Sequence, residues 1–398
     1  MNILMLCDFY NESLEYQENL LVKYYRKHGH EVTVVTSTFE SVFDYYDDRH
    51  DATTPSSVSF HRGARIIKLR YRYNVLNRLR AFTRIDRILE EARPDLIYVH
   101  DIMLNFPECV DYVRRHPDTR MIMDYHADYS NSGKNALSLK VLHGVFRKRF
   151  LDRARPHLSR IFPIVPASAT FLHEVYGIPQ LDMEVLPLGA DLDLIEETRA
   201  RGAGPRLRAQ HGVPEGHLVV VTGGKLTRAK RTHLLLEAIR AQPNLPLTLV
   251  VVGDASASDR PYMDQLHQLA AGNPHVHFVG WLRSDKVYEY LDMADLAVFP
   301  ASQSILWQQA IASGLPLVCG DIGNQDISYL NHHQNLVVLP AAEITAQRLG
   351  AELQRLATAP ELRRQMREGA LRVADEHLNW NRLIERTLRY NRTEGTPT

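Results

Sequence analysis

Two lysines five positions apart, Lys225 and Lys230, stand just after a glycine pair, Gly223-Gly224, which itself closes the apolar run His217–Thr222. Glycines let a backbone come near a phosphate. Two ammonium groups can offset the charge of a departing diphosphate. The spacing is not that of a P-loop, which needs GxxxxGK[ST]. A second candidate lies at Pro300-Ala301-Ser302-Gln303-Ser304, a polar turn leading into a helical pattern with Ile305, Gln309 and Ala312 on one face. The first residues of that helix, Ser304, Ile305 and Leu306, offer unpaired N–H groups and a partial positive charge, a ready site for phosphate. A third candidate is a pair of histidines. His100 closes the apolar run Leu96–Val99, and His126 closes Met121–Tyr125, with Asp128 two residues on. In open parallel sheets, ligands collect at such strand exits.

These groups need βα units to hold them. Ile3–Leu6 reads as a strand, Gln17–His28 as a helix stopped by Gly29, and Glu31–Thr36 as the next strand. Further strands are expected at Leu96–Val99, Met121–Tyr125 and Ile161–Val165, with Ser168 as the N-cap of the helix that follows. The stretch Arg199–Gly216 is rich in Gly, Pro and Arg and reads as a hinge. Beyond it come strands at His217–Thr222, Leu247–Val252, Val276–Trp281, Asp295–Phe299 and Leu317–Cys319. Helices at Ala342–Thr358, Pro360–His377 and Trp380–Tyr390 follow them. Gly314 and Pro316 stop the helix that begins at Ile305. Phe39 to Arg62 is polar and aperiodic and reads as a long loop, and Glu394–Thr398 as a frayed end. No solenoid-type repeat is present.

With 398 residues, 44 % hydrophobic and 24 % charged, the chain is long enough for two soluble domains. The formal net charge is zero, so no global field argues for nucleic acid. Cys7, Cys109 and Cys319 show no CxxC spacing, which suggests neither a zinc cluster nor a disulfide frame and fits a reducing compartment. The N-terminal run reads as a first strand rather than a signal peptide, and no run approaches the ~20 apolar residues of a membrane span. The expected location is the cytoplasm. Two stretches are locally basic. Arg62–Arg93 holds ten cations against three acids, and Lys134–Arg160 eight against one. In the second, Leu137, Val141, Leu142, Val145, Phe146, Phe150 and Leu151 alternate with the charges, as in a basic amphipathic helix that can lie on anionic lipid. The alternative is an ordinary helix with its arginines in water.

Gln309-Ala310-Ile311-Ala312-Ser313-Gly314-Leu315-Pro316 resembles the Glu-Ala-x-Ala-x-Gly-x-Pro run of retaining GT-B glycosyltransferases of family 4. In that family two glutamates stand eight positions apart. Here both are absent: Gln309 occupies the second position, and Gln303 or Ser304 is the nearest polar candidate for the first. Gly29–Val34 resembles the family's Gly-His-Glu-Val-Thr-Val. Gly224-Lys225-Leu226, with Lys230 following, resembles its Gly-Arg-Leu with a later lysine. Val276–Trp281 resembles its Val-x-Phe-x-Gly-x strand. Glu184–Asp191 resembles the last strand of its first domain, with Leu188 for the usual Asn. Asp191-Leu192-Asp193 is also an Asp-x-Asp, too short a match to support a metal.

The resemblance implies an α/β GT-B fold of two doubly wound Rossmann-like domains facing a cleft. The first would span 1–198, joined by a C-terminal helix 379–398 crossing back; the donor domain would span 206–378. It implies transfer of a sugar from a nucleoside-diphosphate sugar to an acceptor hydroxyl with retained configuration, no metal and no cofactor. Lys225 and Lys230 would stabilise the diphosphate. Gly224, Ser304, Ile305 and Leu306 would hold the donor, Trp281 and Leu282 the base, and Gln309 the ribose. Trp281 has a core-packing alternative. His126 matches a cleft histidine of the family and would bind a sugar or substrate oxygen, with Asp128 orienting it or touching the acceptor. His100, Gln17 and Glu18 would line the acceptor side, although Glu18 could merely complement its helix dipole. The implied partners are a nucleotide-sugar donor, a hydroxyl acceptor that is lipid-linked where an anionic membrane surface is used, and no nucleic acid. The expected setting is cell-surface polysaccharide or glycolipid assembly at the inner membrane face. Rival readings are glycosylation of a soluble natural product, a nucleotide-sugar epimerase, and an inactive nucleotide-sugar-binding protein.

Overall fold

Short apolar runs without polar alternation, such as Leu4-Met5-Leu6 and Val219-Val220-Val221, mark strands buried on both faces, as in parallel sheets covered by helices. The computed structural model describes residues 1–39, 54–75, 79–132, 138–301, 304–323 and 326–390. Most of the loop expected at 39–62, Gln303, Lys134, Leu137 and the terminal residues lie outside the described set. Two compact units form. One comprises Met1–Pro187 together with the chain from Leu383 on, and the other Leu188–Arg382.

The first unit carries β1 (Asn2–Leu6), β2 (Glu31–Ser37), β3 (Ser57–His61), β4 (Ala64–Leu69), β5 (Tyr71–Val75), β6 (Leu79–Phe82), β7 (Leu96–His100), β8 (Arg120–Tyr125) and β9 (Arg160–Pro163). Seven of these form one sheet in the order β3-β4-β2-β1-β7-β8-β9, parallel except for the antiparallel edge pair β3–β4. Strand order reverses between β1 and β7, so the crevice beyond their carboxyl ends is the switch point where ligands of open sheets bind. β5 and β6 form a separate antiparallel hairpin inside the basic stretch. There Tyr71 and Arg80 both hold Asp8, at 2.8 and 2.5 Å. Local charge density gave no hint of that pairing. The C-terminal helix Trp380–Leu388 reaches the first unit through Thr387 against Tyr25 (2.5 Å) and Arg386 against Glu184 (2.6 Å).

The second unit carries β10 (Leu218–Gly223), β11 (Leu247–Val252), β12 (Val276–Gly280), β13 (Leu296–Phe299), β14 (Leu317–Asp321) and β15 (Leu336–Pro340). They form an all-parallel sheet in the order β12-β11-β10-β13-β14-β15, which reverses between β10 and β13. Successive side chains feed opposite faces. Val219, Val221, Val250 and Phe299 join one apolar cluster, and Val220, Leu249, Val251 and Val298 the other.

Four sequence expectations give way here. The unit boundary falls at 187/188, and the stretch read as a hinge is helical, at Leu192–Ala200 and Ala203–Gln210. Its glycines serve packing instead. Gly202 caps a helix at φ 63°, and a Cβ on Gly204 would lie 2.5 Å from the Asp292 carbonyl oxygen of the neighbouring Ser284–Met293 helix. Ser168 is no N-cap, because Pro166 already opens that helix; its hydroxyl is buried without a hydrogen-bond partner. The basic stretch is not one amphipathic α-helix. It is a π-helical segment, Ser138–Arg147, running into Lys148–Ala154.

Candidate functional site

In the second unit the chain leaves β10 through Gly223 and Gly224, at φ 158° and 104°. Only glycine adopts the second of these readily. Gly253, at the exit of β11, has φ 107°, and a Cβ there would come within 2.1 Å of the Gly224 carbonyl oxygen. Two bare backbone turns are thus pressed together at the strand ends. A Cβ on Gly224 would lie 3.3 Å from Ser304 Oγ and 3.9 Å from Lys230 Cε. Gly224, Lys230 and Ser304, separated by up to 80 residues in the chain, therefore meet at the β10–β13 switch point. Ser304 caps the Ile305–Ala312 helix by accepting from Leu306 N–H at 3.1 Å. Burial lowers the Lys230 pKa to about 8. An ammonium that is already partly desolvated gains more from an arriving anion than a hydrated one does. Lys225 is exposed beside this turn, and Ile305 is also exposed.

The helix behind this turn carries two adjacent buried amides. Gln308 accepts from Gly189 N–H at 3.1 Å and donates to the Tyr329 hydroxyl at 3.2 Å, a structural role. Gln309 is buried as well, and its Nε2 makes a long 3.5 Å contact with the Tyr288 hydroxyl. Trp281, just past β12, is 63 % exposed, so it is not core packing; Leu282 packs half-buried against the apolar cluster. Asp191 caps the Leu192–Ala200 helix by accepting from Leu194 N–H at 3.1 Å, which accounts for the first acid of the Asp-x-Asp.

In the first unit the polar groups sit at the β1–β7 switch point. His100 Nδ1 lies 2.8 Å and His126 Nε2 3.4 Å from the same oxygen, Asp124 Oδ2, and the Tyr98 hydroxyl donates to that oxygen at 3.1 Å. Asp124 is fully buried, whereas the His126 side chain keeps 30 % exposure. Burial alone would lower both imidazole pKa values. The Asp124 carboxylate outweighs it, with Glu18 adding to both, so that His100 is raised and His126 is raised to about 10. Burial would raise Asp124, but the two imidazoles hold it well below the usual carboxylate range. Asp101, with φ 60°, accepts the His126 N–H at 3.2 Å. Gln17 is 5 % exposed with neither amide atom hydrogen-bonded.

The structure thus gathers His100, His126 and Glu18 into one electrostatic cluster. It corrects the part given to Asp128. That carboxylate turns into its own loop and accepts from Ser130 N–H (2.7 Å) and Oγ (2.5 Å) and from Asn131 N–H. The acid facing His126 is Asp124, which was not singled out from the sequence. Its signal was present: an aspartate inside the otherwise apolar strand Met121-Ile122-Met123-Asp124-Tyr125 has to find a partner. One nitrogen from each ring and one carboxylate oxygen lie within 4.8 Å of one another, as both imidazoles approach the same Asp124 oxygen.

Comparison with known proteins identifies the class. The model for Glycosyltransferase Family 4 matches residues 19–194, and the model for Glycosyl transferases group 1 matches residues 205–373. The structure of Anabaena Alr3699/HepE in complex with UDP has a TM-score of 0.68 at 18 % identity, covering 98 % of this chain and 99 % of that one. Sucrose-phosphate synthase from Thermosynechococcus elongatus has a TM-score of 0.67 at 15 % identity, covering 98 % of each. Both support the GT-B fold. A D-inositol 3-phosphate glycosyltransferase of Rhodococcus erythropolis is 30 % identical over 223 residues, which cover 53 % of this chain and 48 % of the relative. A putative teichuronic acid biosynthesis glycosyltransferase, TuaC, of Bacillus subtilis is 28 % identical over 183 residues, covering 44 % and 43 %. The chain thus spans about half the length of the curated relatives it matches. With both family models and the two-sheet α/β architecture in agreement, the chain belongs to the GT-B glycosyltransferases of the family 4 type.

Proposed function

We propose that this protein transfers a sugar from a nucleoside-diphosphate sugar to an acceptor hydroxyl, with retention of configuration. The observation that carries the reading is the meeting of Gly224, Lys230 and Ser304 at the β10–β13 switch point. Bare backbone, a desolvated ammonium and the positive end of the Ser304-capped helix make a cradle for a diphosphate. Lys225 adds a second cation at the rim. The exposed Trp281 offers a face to the base, and Gln309 an amide to the ribose. His126, His100, Gln17 and Glu18 serve the sugar and acceptor. No metal is required for this arrangement, because the lysines and the helix end supply the positive charge. A solved relative by fold binds UDP and supports uridine as the first base to try.

The setting we favour is assembly of a cell-surface polysaccharide or glycolipid, with the first unit resting on anionic lipid at the inner membrane face. Val141, Val145 and Phe146 are exposed beside Lys140, Arg147, Lys148 and Arg149, an apolar and basic pairing that suits such a surface. No helix among the described residues is long and apolar enough to cross a membrane. A thermal-shift screen of nucleoside diphosphates and their sugars tests the donor reading, since a ligand of the folded form raises Tm. A UDP-induced rise that is lost in Lys230→Ala supports it, and no rise with any nucleotide sinks it. Product analysis with and without acceptor separates transfer from epimerisation. Co-sedimentation with anionic vesicles that weakens with salt tests the membrane setting.

A further inference from the structure

We propose that Asp124 is a positioning residue whose single carboxylate oxygen, shared by the His100 and His126 rings, locks His126 as a cationic N–H donor at the exit of β8. In that state His126 donates to a substrate oxygen and takes no proton from the acceptor. The proposal rests on the glycosyltransferase reading for its substrate, but the lock itself is a property of the first unit alone.

Its geometry is that of a clamp. Asp124 sits on a strand buried on both faces, so its carboxylate cannot turn to water. Its Oδ2 faces Tyr98 and His100 from β7 and His126 from its own strand exit, at 3.1, 2.8 and 3.4 Å. The Tyr98 hydroxyl, which burial and the neighbouring Asp124 charge hold protonated, remains a donor. From the helix Gln17–Lys27, Glu18 adds negative charge, and from the turn after β7, Asp101 does the same while accepting the His126 backbone N–H. Both rings set a nitrogen close to that one oxygen, an ion-pair approach without an aligned hydrogen bond. Three acids around the two rings favour the protonated imidazoles. A general base at this position would need a free lone pair on the ring. The inner nitrogen of His126 is buried against the Asp124 carboxylate at 3.4 Å, and the surrounding acids favour a proton on both ring nitrogens.

The test is the NMR titration of the full chain, with the His126 and His100 ring C–H signals assigned by His126→Gln and His100→Gln. The expected result is no His126 titration between pH 5.5 and 8.5 in the wild type, and its return to the ordinary imidazole range near about 6.5 in Asp124→Asn. A His126 that titrates near neutrality in the wild type overturns the proposal, and this outcome does not depend on any variant folding. Turnover of UDP-glucose gives the second readout. Asp124→Asn should lose at least about tenfold in kcat with KM within about twofold, and should acquire a fall in rate between about pH 6 and 7, below the fall near about 8 that Lys230 gives the wild type. A variant with an unchanged pH profile argues for a purely structural carboxylate and overturns the proposal. So does stoichiometric zinc in the purified protein that Asp124→Asn abolishes, because a metal-bound imidazole carries no such proton. If UDP-glucose shifts the Tm of neither protein, the donor reading fails, and the titration alone decides the clamp.

Discussion

The two units place their polar groups at the same topological position and build them from opposite materials. At the β1–β7 switch point the first unit uses side chains: two histidines on one buried aspartate. At the β10–β13 switch point the second uses the lack of side chains: glycine turns pressed so close that a Cβ would not fit, with a lysine stem and a serine hydroxyl against them. The difference fits their proposed partners. A diphosphate is bulky and charged at any working pH, so it calls for backbone N–H groups and fixed cations. A sugar or acceptor hydroxyl is neutral, and a protonation state held by its neighbours decides whether the protein donates to it or accepts from it.

The sharpest way to break the comparison is Gly253→Ala. Its Cβ would strike the Gly224 carbonyl oxygen, and its φ of 107° is itself costly for alanine. We expect a loss of about 3 kcal/mol or more in urea unfolding, together with loss of nucleotide binding. Next is Lys230→Met, which should lower kcat/KM by about 10²–10³. It should leave Tm unchanged or slightly higher, because burial already disfavours that ammonium and holds its pKa at about 8. For the same reason the wild-type kcat/KM should fall as pH rises through about 8.

A pH series on stability sharpens the contrast. The folded-state pKa of His126 is raised, so its stabilisation is complete below the unfolded value near about 6.5 and is lost as pH rises toward about 10. The depressed Asp124 pKa works the other way, with stability lost as pH falls through the acid range. The Tm gap between wild type and Asp124→Asn should therefore be widest near pH 6, at about 5 °C or more, and shrink steadily toward pH 9.5. A gap that stays flat over that range would mean that His126 holds no extra proton. The smallest effect expected is that of Gln309→Ala, which should weaken UDP affinity by about 2–10-fold, the worth of one hydrogen bond to a ribose. Gln308→Ala should instead lower Tm, since both ends of that amide are already bonded within the unit.

The sequence alone determined the βα rhythm, both histidine exits, the glycine–lysine turn and the helix start at Ser304. Each of these is a local pattern, in which an apolar run, a glycine or a capping residue carries its own signal within a few positions. Tertiary structure alone decided who faces whom. His100 meets Asp124 because β7 and β8 lie side by side with those two residues in register. The glycines near 202–204 became contacts between helices instead of a hinge, because Asp292 approaches from 88 residues away. Partnerships of that kind depend on strand order and on close approach between distant segments, and nothing within a short window of residues encodes them.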